Sequence, residues 1–354
     1  MTTPIGQSPR KNNPVATALK WIGSVAAVVS LLLGLNQVTG LLQKFRVHHK
    51  EFSEAMKAGE QQQERGDYLA AFDIFKHAAE LDPIDRGAQK REAQAAMLWL
   101  ENVHAQNQTF TEIANQLLPV LDKALSSSKG QDAADLMAQI GWANFLRSRD
   151  GSGSAGDLVV KSYEDAIKID PQNVYAHAMW GHWIPWQNGD AKEAKEHFAA
   201  ALEGGRVRPY VRELQLSAYY NVPTAANVAE LLRVANDMRQ HGEMMSPRLR
   251  NEAFEQIFQF QLYDQGKFGK VVQAVSPDDV LATYDWLSTG RTDYDLAVRR
   301  EFVGAFAIET AGRRAEALSI YQALQQKLRT SSLSSELGRA VDEAVKRLWA
   351  AKSS

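Results

Sequence analysis

Between His177 and Trp186 the chain reads HAMWGHWIPW, placing three tryptophans and two histidines within ten residues. Imidazoles can ligate metal or move protons, and indoles can grip apolar or peptide surface. His177 and His182 are five residues apart, which puts them on different faces of a helix, and no Asp or Glu completes a ligand set. No metal site is therefore expected. Helical projection places Tyr175, His182 and Trp186 on one face, joined by Trp142 and Phe145 from a preceding helix. These five rings are the candidate partner-binding surface. The same rings are equally suited to filling the gaps between packed helices, since aromatics dominate cores as well as interfaces.

Other chemistries are poorly provided for. Arg206, Arg208 and Arg212 surround Pro209 and read as a solvated loop with capping contacts rather than a phosphate or headgroup site. The run GSGSAG at 151–156 lacks the Lys-Ser/Thr of a phosphate loop, and Ser152 and Ser154 lack the strand-turn-helix frame of a hydrolase nucleophile. No pair of acids stands out as a general acid and base. There is no cysteine among the 354 residues, which removes disulfides, cysteine-zinc sites and thiol nucleophiles together. A formal net charge of −2 gives no global attraction to nucleic acid. No catalytic residue and no cofactor is expected, and a protein without enzymatic activity is.

What must position the aromatic rings is a set of helical hairpins. Residues 51–83 carry Gly59, Gly66, Asp67, Tyr68, Ala71, Phe75, Ala78 and Pro83. Small residues fall where two backbones touch, a Gly-Asp-Tyr turn joins two helices, and a proline stops the second. Gly141, Tyr163, Ala166 and Pro171 repeat part of this pattern, with a longer turn, RSRDGSGSAGD, between the helices. Gly181, Gly189-Asp190, Ala194, Phe198 and Ala201 repeat it again, with Pro185 expected to break or bulge the first helix of that unit. The segments 87–104 and 109–127 form a helical pair lacking the signature, the second containing Pro119, which is expected to kink it. Beyond Arg206 the periodicity continues in weaker form. Residues 226–241 and 247–265 read as helices, Gly266-Lys267-Phe268 as a turn, and 298–329, with Gly312, Ala317, Tyr321 and Leu324, as a last hairpin before a capping helix at 333–351. No segment shows strand-like alternation.

With these residues the chain resembles a membrane-anchored bacterial tetratricopeptide-repeat protein, over 51–85, 134–205 and 298–329. The resemblance implies an all-α solenoid of stacked helical hairpins, with a groove that serves protein–protein association. Family members that hold a peptide carboxylate do so with lysine and asparagine on first-helix positions. Those positions here are Met56 and Glu60, Ala138 and Trp142, Ala178 and His182, so that mode is not expected.

The membrane part of the resemblance rests on Trp21–Gln43, a run without a charged side chain. At about 1.5 Å per residue its helix reaches about 33 Å, enough for the hydrocarbon layer. Lys20 and Trp21 flank one end and Lys44, Phe45 and Arg46 the other, as interfacial anchors do. Ala26, Ser30 and Gly34 recur every four residues, a stripe on which two such helices could dimerise. His48, His49 and Lys50 follow at the membrane surface. The expected organisation is a disordered basic tail at 1–20, a transmembrane anchor at 21–43, a solenoid at 44–205, degenerate helical repeats at 206–297 and a C-terminal repeat with capping helix at 298–354. Basic residues lie on both sides of the span; the favoured topology leaves the tail in the cytoplasm and the large domain on the periplasmic side of a bacterial inner membrane, and the reverse fits the same charges. Two functions are compatible with this organisation. One is a scaffold or adaptor for a membrane-associated protein or peptide partner, and the other is a chaperone-like holdase for unfolded apolar segments.

Overall fold

A computed structural model describes residues 47–102, 109–149, 156–187, 191–290, 294–329 and 335–352. The expected tail, the expected span at 21–43 with its Ala26, Ser30 and Gly34 stripe, Ser152, Ser154 and the Gly189-Asp190 turn all lie outside the described residues. Every described element is a helix, and no strand occurs among the described residues. No helix among them is long and apolar enough to cross a membrane. The chain forms two compact units, one ending at Trp99 and the other beginning at Leu100.

In the first unit, helix α1 covers 47–64 of the described residues and α2 spans Tyr68–Leu81. Gly66, at φ 79°, supplies the left-handed turn, and Asp67 caps α2 by accepting from the Ala70 N–H at 3.1 Å. Phe52, Ala55 and Met56 pack on Ala78, Ala79 and Ala88, the last from α3, which spans Arg86–Glu101. Phe72 and Trp99 meet at 5.6 Å between centroids. His48 is exposed, and its Nε2 lies 2.6 Å from the Leu81 carbonyl oxygen, at the carbonyl-rich end of α2.

The second unit continues with α4 (Phe110–Leu125), α5 (Gly130–Arg149), α6 (Gly156–Ile169), α7 (Val174–Trp186), α8 (Ala191–Glu203), α9 (Arg208–Asn221), α10 (Ala225–Gln240) and α11 (Pro247–Tyr263). It ends with α12 (Gln265–Val275), α13 (Pro277–Leu287), α14 (Tyr294–Thr310), α15 (Arg314–Arg329) and α16 (Ser335–Lys352). Pairs α5–α6, α7–α8, α9–α10, α11–α12 and α14–α15 are hairpins, and the first helices α5, α7, α9 and α11 pack successively on one another. Neighbouring hairpins thus bury the apolar faces that none could bury alone.

One contact recurs in the three hairpins that carry the repeat glycine. A Cβ built on Gly59 would stand 2.6 Å from Phe75, and one on Gly141 would stand 2.6 Å from Tyr163. On Gly181 it would stand 3.1 Å from both Phe198 and the Ala194 carbonyl oxygen. Phe75, Tyr163 and Phe198 are completely buried. The missing side chain lets each ring come up against the opposite helix, which sets the closeness of the two helices.

Three local expectations are revised, those at Pro185, at the Gly266 turn and at α13. Pro185 does not break its helix; it lies in the last turn of α7, where it removes little because the helix ends at Trp186. Helix α4 runs through Pro119 to Leu125, after a capping box in which Thr109 and Glu112 satisfy each other's backbone N–H groups. The turn expected at Gly266-Lys267-Phe268 is at Asp264, which closes α11 and caps α12 through the Lys267 N–H at 3.1 Å. Helix α13 was not expected. Its Ser276 cap, Pro277 and the acids Asp278 and Asp279 form a complete helix start.

Opposite outcomes are expected for one substitution at two glycines. Gly141→Ala forces a methyl into Tyr163 and should destabilise the second unit by about 1–3 kcal/mol. Gly338→Ala, in α16 with nothing within 4 Å of the new Cβ, should stabilise by about 0.5–1 kcal/mol. Urea titrations followed by circular dichroism compare them directly; a neutral Gly141→Ala would show that the close approach is not required.

Candidate functional site

Four of the five sequence-selected rings form one cluster. Trp142 and Phe145, successive on α5, have centroids 5.0 Å apart. His182 on α7 meets Trp142 edge-on at 5.0 Å and Phe145 at 5.6 Å. Trp186, one turn further along α7, meets Phe145 at 6.0 Å. The Arg149 guanidinium carbon completes the group, 4.7 Å from the Phe110 centroid, 4.9 Å from Trp186 and 6.0 Å from Phe145. Arg149 follows Phe145 by one helical turn, so the same projection that selected the rings could have found it.

Exposure divides the cluster. Trp142, Phe145 and His182 are 7%, 2% and 4% exposed, so these three are packed between the first helices rather than displayed. The cause is the direct packing of α5 on α7, which covers the faces of both. Trp186 is half-buried and Arg149 exposed. Burial, assisted by the positive charge of Arg149, lowers the His182 pKa to about 3, so its imidazole is neutral at pH 7. The Trp142 Nε1–H donates to the Leu100 carbonyl at 3.3 Å. By contrast, His182 Nδ1 and Trp186 Nε1 have no hydrogen-bond partner among the described residues. A buried polar atom left so costs about 1–3 kcal/mol.

Tyr175, the fifth ring, belongs elsewhere. Its ring is 6.0 Å from that of Tyr210 and 5.7 Å from the Arg206 guanidinium. Its hydroxyl hydrogen-bonds Glu101, which also accepts from Gln139 Nε2 at 2.8 Å. Burial pushes the Glu101 carboxyl up to about 7, against the opposing pull of these two hydrogen bonds. Asp135 beside it receives both Arg206 Nη atoms at 2.9 Å and Asn173 Nδ2 at 2.6 Å, while Asn173 caps α7 by accepting from the Ala176 N–H. Glu101, Gln139, Tyr210 and Asp135 gave no sequence signal because they are far apart in the chain and common in type. A near-neutral carboxyl beside a tyrosine could pass a proton, yet neither the cleft along α8, α10 and α12 nor that along α10, α13 and α14 is lined by these residues.

Of the three arginines around Pro209, Arg212 is buried while Arg206 and Arg208 keep 37% and 45% of their side-chain surface in water, and all three are ion-paired. Arg206 grips Asp135 as above. Arg208 donates to Glu243 at 2.8 Å, and Arg212, only 4% exposed, reaches both Glu243 oxygens at 3.0 Å, Gln215 at 3.0 Å, and Asp237. The chain folds the end of α10 and its following loop back onto α9, which turns an apparent basic patch into an ion-pair node. The two arginines hold the Glu243 carboxyl down at about 2. His177 and His197, with Nδ1 atoms 2.9 Å apart, share one hydrogen bond on the other side of α7. Among the described residues no group of three His, Asp or Glu could hold a metal ion.

A tetratricopeptide repeat protein from Parabacteroides merdae is similar to this chain over 85% of it and 99% of that protein, at 14% identity and a TM-score of 0.39. The tetratricopeptide domain of P58(IPK) is similar over the same shares at 14% identity and a TM-score of 0.20. Likenesses of this degree say nothing about ligands or partners. No family model matches the sequence, and no curated protein matches it. The all-α repeat architecture therefore stands on the stacked hairpins and their glycine–ring contacts.

The two shifted carboxyls predict opposite pH dependences. Glu101 has a folded pKa above its unfolded value of 4.5, so its uncharged form stabilises the fold below pH 4.5 and that contribution is lost as pH rises to about 7. Glu101→Gln should remove this slope and raise stability at pH 8. Glu243 has a folded pKa below 4.5, so its contribution is present above pH 4.5 and is lost as pH falls towards about 2. Glu243→Gln leaves Arg212 short of its carboxylate and should cost about 2 kcal/mol at pH 7. Urea midpoints measured from pH 3 to pH 8 test both signs; an unchanged slope in either variant would assign the dependence elsewhere.

Proposed function

We propose that this chain is a non-enzymatic scaffold that holds a protein or peptide partner on the α5–α7 face, tethered to a membrane through 21–43. The observation that carries the reading is the state of Trp186. Its side chain is half-buried, and the exposed Arg149 lies over its ring with the guanidinium carbon 4.9 Å from the centroid. A partner segment laid over this ring would bury its remaining surface and lie beside the Arg149 guanidinium. Trp142, Phe145 and His182 form the rigid bed beneath. Tyr175 stands on the same helix, one end away, as a second partly exposed ring.

The tether rests on the uncharged run Trp21–Gln43 and its basic flanks. Confinement to a membrane raises the effective concentration of a partner already there, so a weak surface can suffice. In this reading the basic tail stays in the cytoplasm and the repeat units are exported, with Ala26, Ser30 and Gly34 available for pairing two copies.

Affinity capture from detergent-solubilised membranes tests the scaffold. A stoichiometric partner is expected, with recovery falling at least fivefold for Trp186→Ala, whereas His182→Ala should chiefly lower the melting temperature. A heterogeneous set of unfolded clients would favour a holdase, and capture indifferent to Trp186 would move the binding surface. Alkaline extraction should leave the full chain in the membrane and release a variant lacking 1–43; protease access before and after permeabilisation gives the side.

A further inference from the structure

A second surface lies on the other helices of the hairpins. A cleft of about 380 Å³ runs along α8, α10 and α12, the second helices of three consecutive hairpins. Lys192 and Lys195 from α8, Arg233 from α10 and Lys270 from α12 line it, with Glu230 as the one carboxylate of the lining. Its floor is made of Ala226, Ala229 and Ala274, which have no side chain long enough to fill it. In a chain whose formal net charge is −2, four cations against one acid is a concentrated positive surface.

The charges are held in place and also left accessible. Lys195 Nζ stands 3.6 Å from Glu230, which also pairs with Arg233, while Arg233 donates to the Ala274 carbonyl at 2.8 Å. These contacts tie the three helices side by side across the cleft. The Lys195 and Arg233 side chains nonetheless remain 58% and 42% exposed, against 13% for Glu230. Lys192, whose Glu196 neighbour is 3.8 Å away, is 80% exposed.

We infer that this cleft docks an extended acidic peptide segment of a protein partner. Glu230 occupies the middle and takes up Arg233 and Lys195, which disfavours one small anion seated on the floor. The cations are instead spread over three helices. Helices side by side are at least about 8–10 Å apart, so the outer two stand about 20 Å or more apart, and an extended segment at about 3.3 Å per residue covers that distance in about six to eight residues. Carboxylates along such a segment meet α8 and α12 at its ends, and the alanine floor lets its main chain approach closely. The inference extends the scaffold reading to a second surface and does not use the Trp186 face.

The test is fluorescence anisotropy of a labelled octaglutamate peptide titrated with the full chain in non-ionic detergent. Binding is expected, weakening at least tenfold in the double variant Lys195→Glu/Lys270→Glu and again as ionic strength rises from about 0.05 to about 0.3 M. Octalysine should not bind. Circular dichroism and the melting temperature check that the variant folds, and Lys195→Gln/Lys270→Gln serves if it does not. The control pair Lys161→Glu/Lys346→Glu, exposed on α6 and α16, changes net charge equally and should leave affinity within twofold. Absence of octaglutamate binding, equal loss in the control pair, or displacement by equimolar inorganic phosphate would each overturn the proposal. None of these outcomes bears on capture through Trp186, so failure of the cleft and failure of the scaffold reading are separable.

Discussion

The structure depends on a side chain that is missing. Where Gly59 and Gly141 face Phe75 and Tyr163 a methyl group would collide with the ring, and where Gly181 faces Phe198 and the Ala194 carbonyl it would be tightly crowded. Because it is absent, each pair of helices closes until the ring comes up against the opposite helix, and the ring is sealed from water. That closeness fixes the direction in which the first helix of each hairpin presents its remaining faces. Only then can α5, α7 and α9 pack in succession, and only then do Trp142, Phe145 and His182 share one cluster.

Apolar stacking of this kind is repetitive and says little about register, and the polar groups supply what it lacks. Glu101 with Gln139 and Tyr175, Asp135 with Arg206 and Asn173, and Arg212 with Glu243 and Asp237 each join elements far apart in sequence. A slip between helices would leave polar groups of these sets without partners, and at Arg212 it would strand a buried charge, at a cost of several kcal/mol. The burial that raises the Glu101 pKa and the pairing that lowers that of Glu243 are two consequences of one arrangement, in which polar side chains knit the hairpins together. The exposed cations along α8, α10 and α12 differ, because their positions on the second helices leave most of their surface in water.

Much of this was legible in the residues, though unevenly. The glycine–aromatic spacing, the Gly66-Asp67 turn, the Ser246-Pro247 start of α11 and the Gly312 turn each act through local sterics or a single cap, so they can be read without knowing the neighbours. Helix α13 had an equally complete start at Ser276-Pro277 and could have been recognised. The turn at Asp264 was displaced because an aspartate capping one helix while closing another competes with a nearby glycine, and the hydrogen bond prevailed. At the candidate site, the spacing brought out four rings that do meet, but it could not say that three are covered. Exposure depends on the helix packed opposite, and Arg212 was misread for the same reason.

What the chain determined on its own was therefore the class of architecture: helices of set length, joined by turns of set handedness, with gaps cut by glycine for rings one helix away. Those features follow from backbone sterics and short-range periodicity, which operate within some twenty residues. What only the folded molecule decided was which polar groups would be paired, which rings would stay wet and where positive charge would collect. Such properties belong to surfaces brought together from distant segments, and water is excluded or admitted only once those surfaces meet.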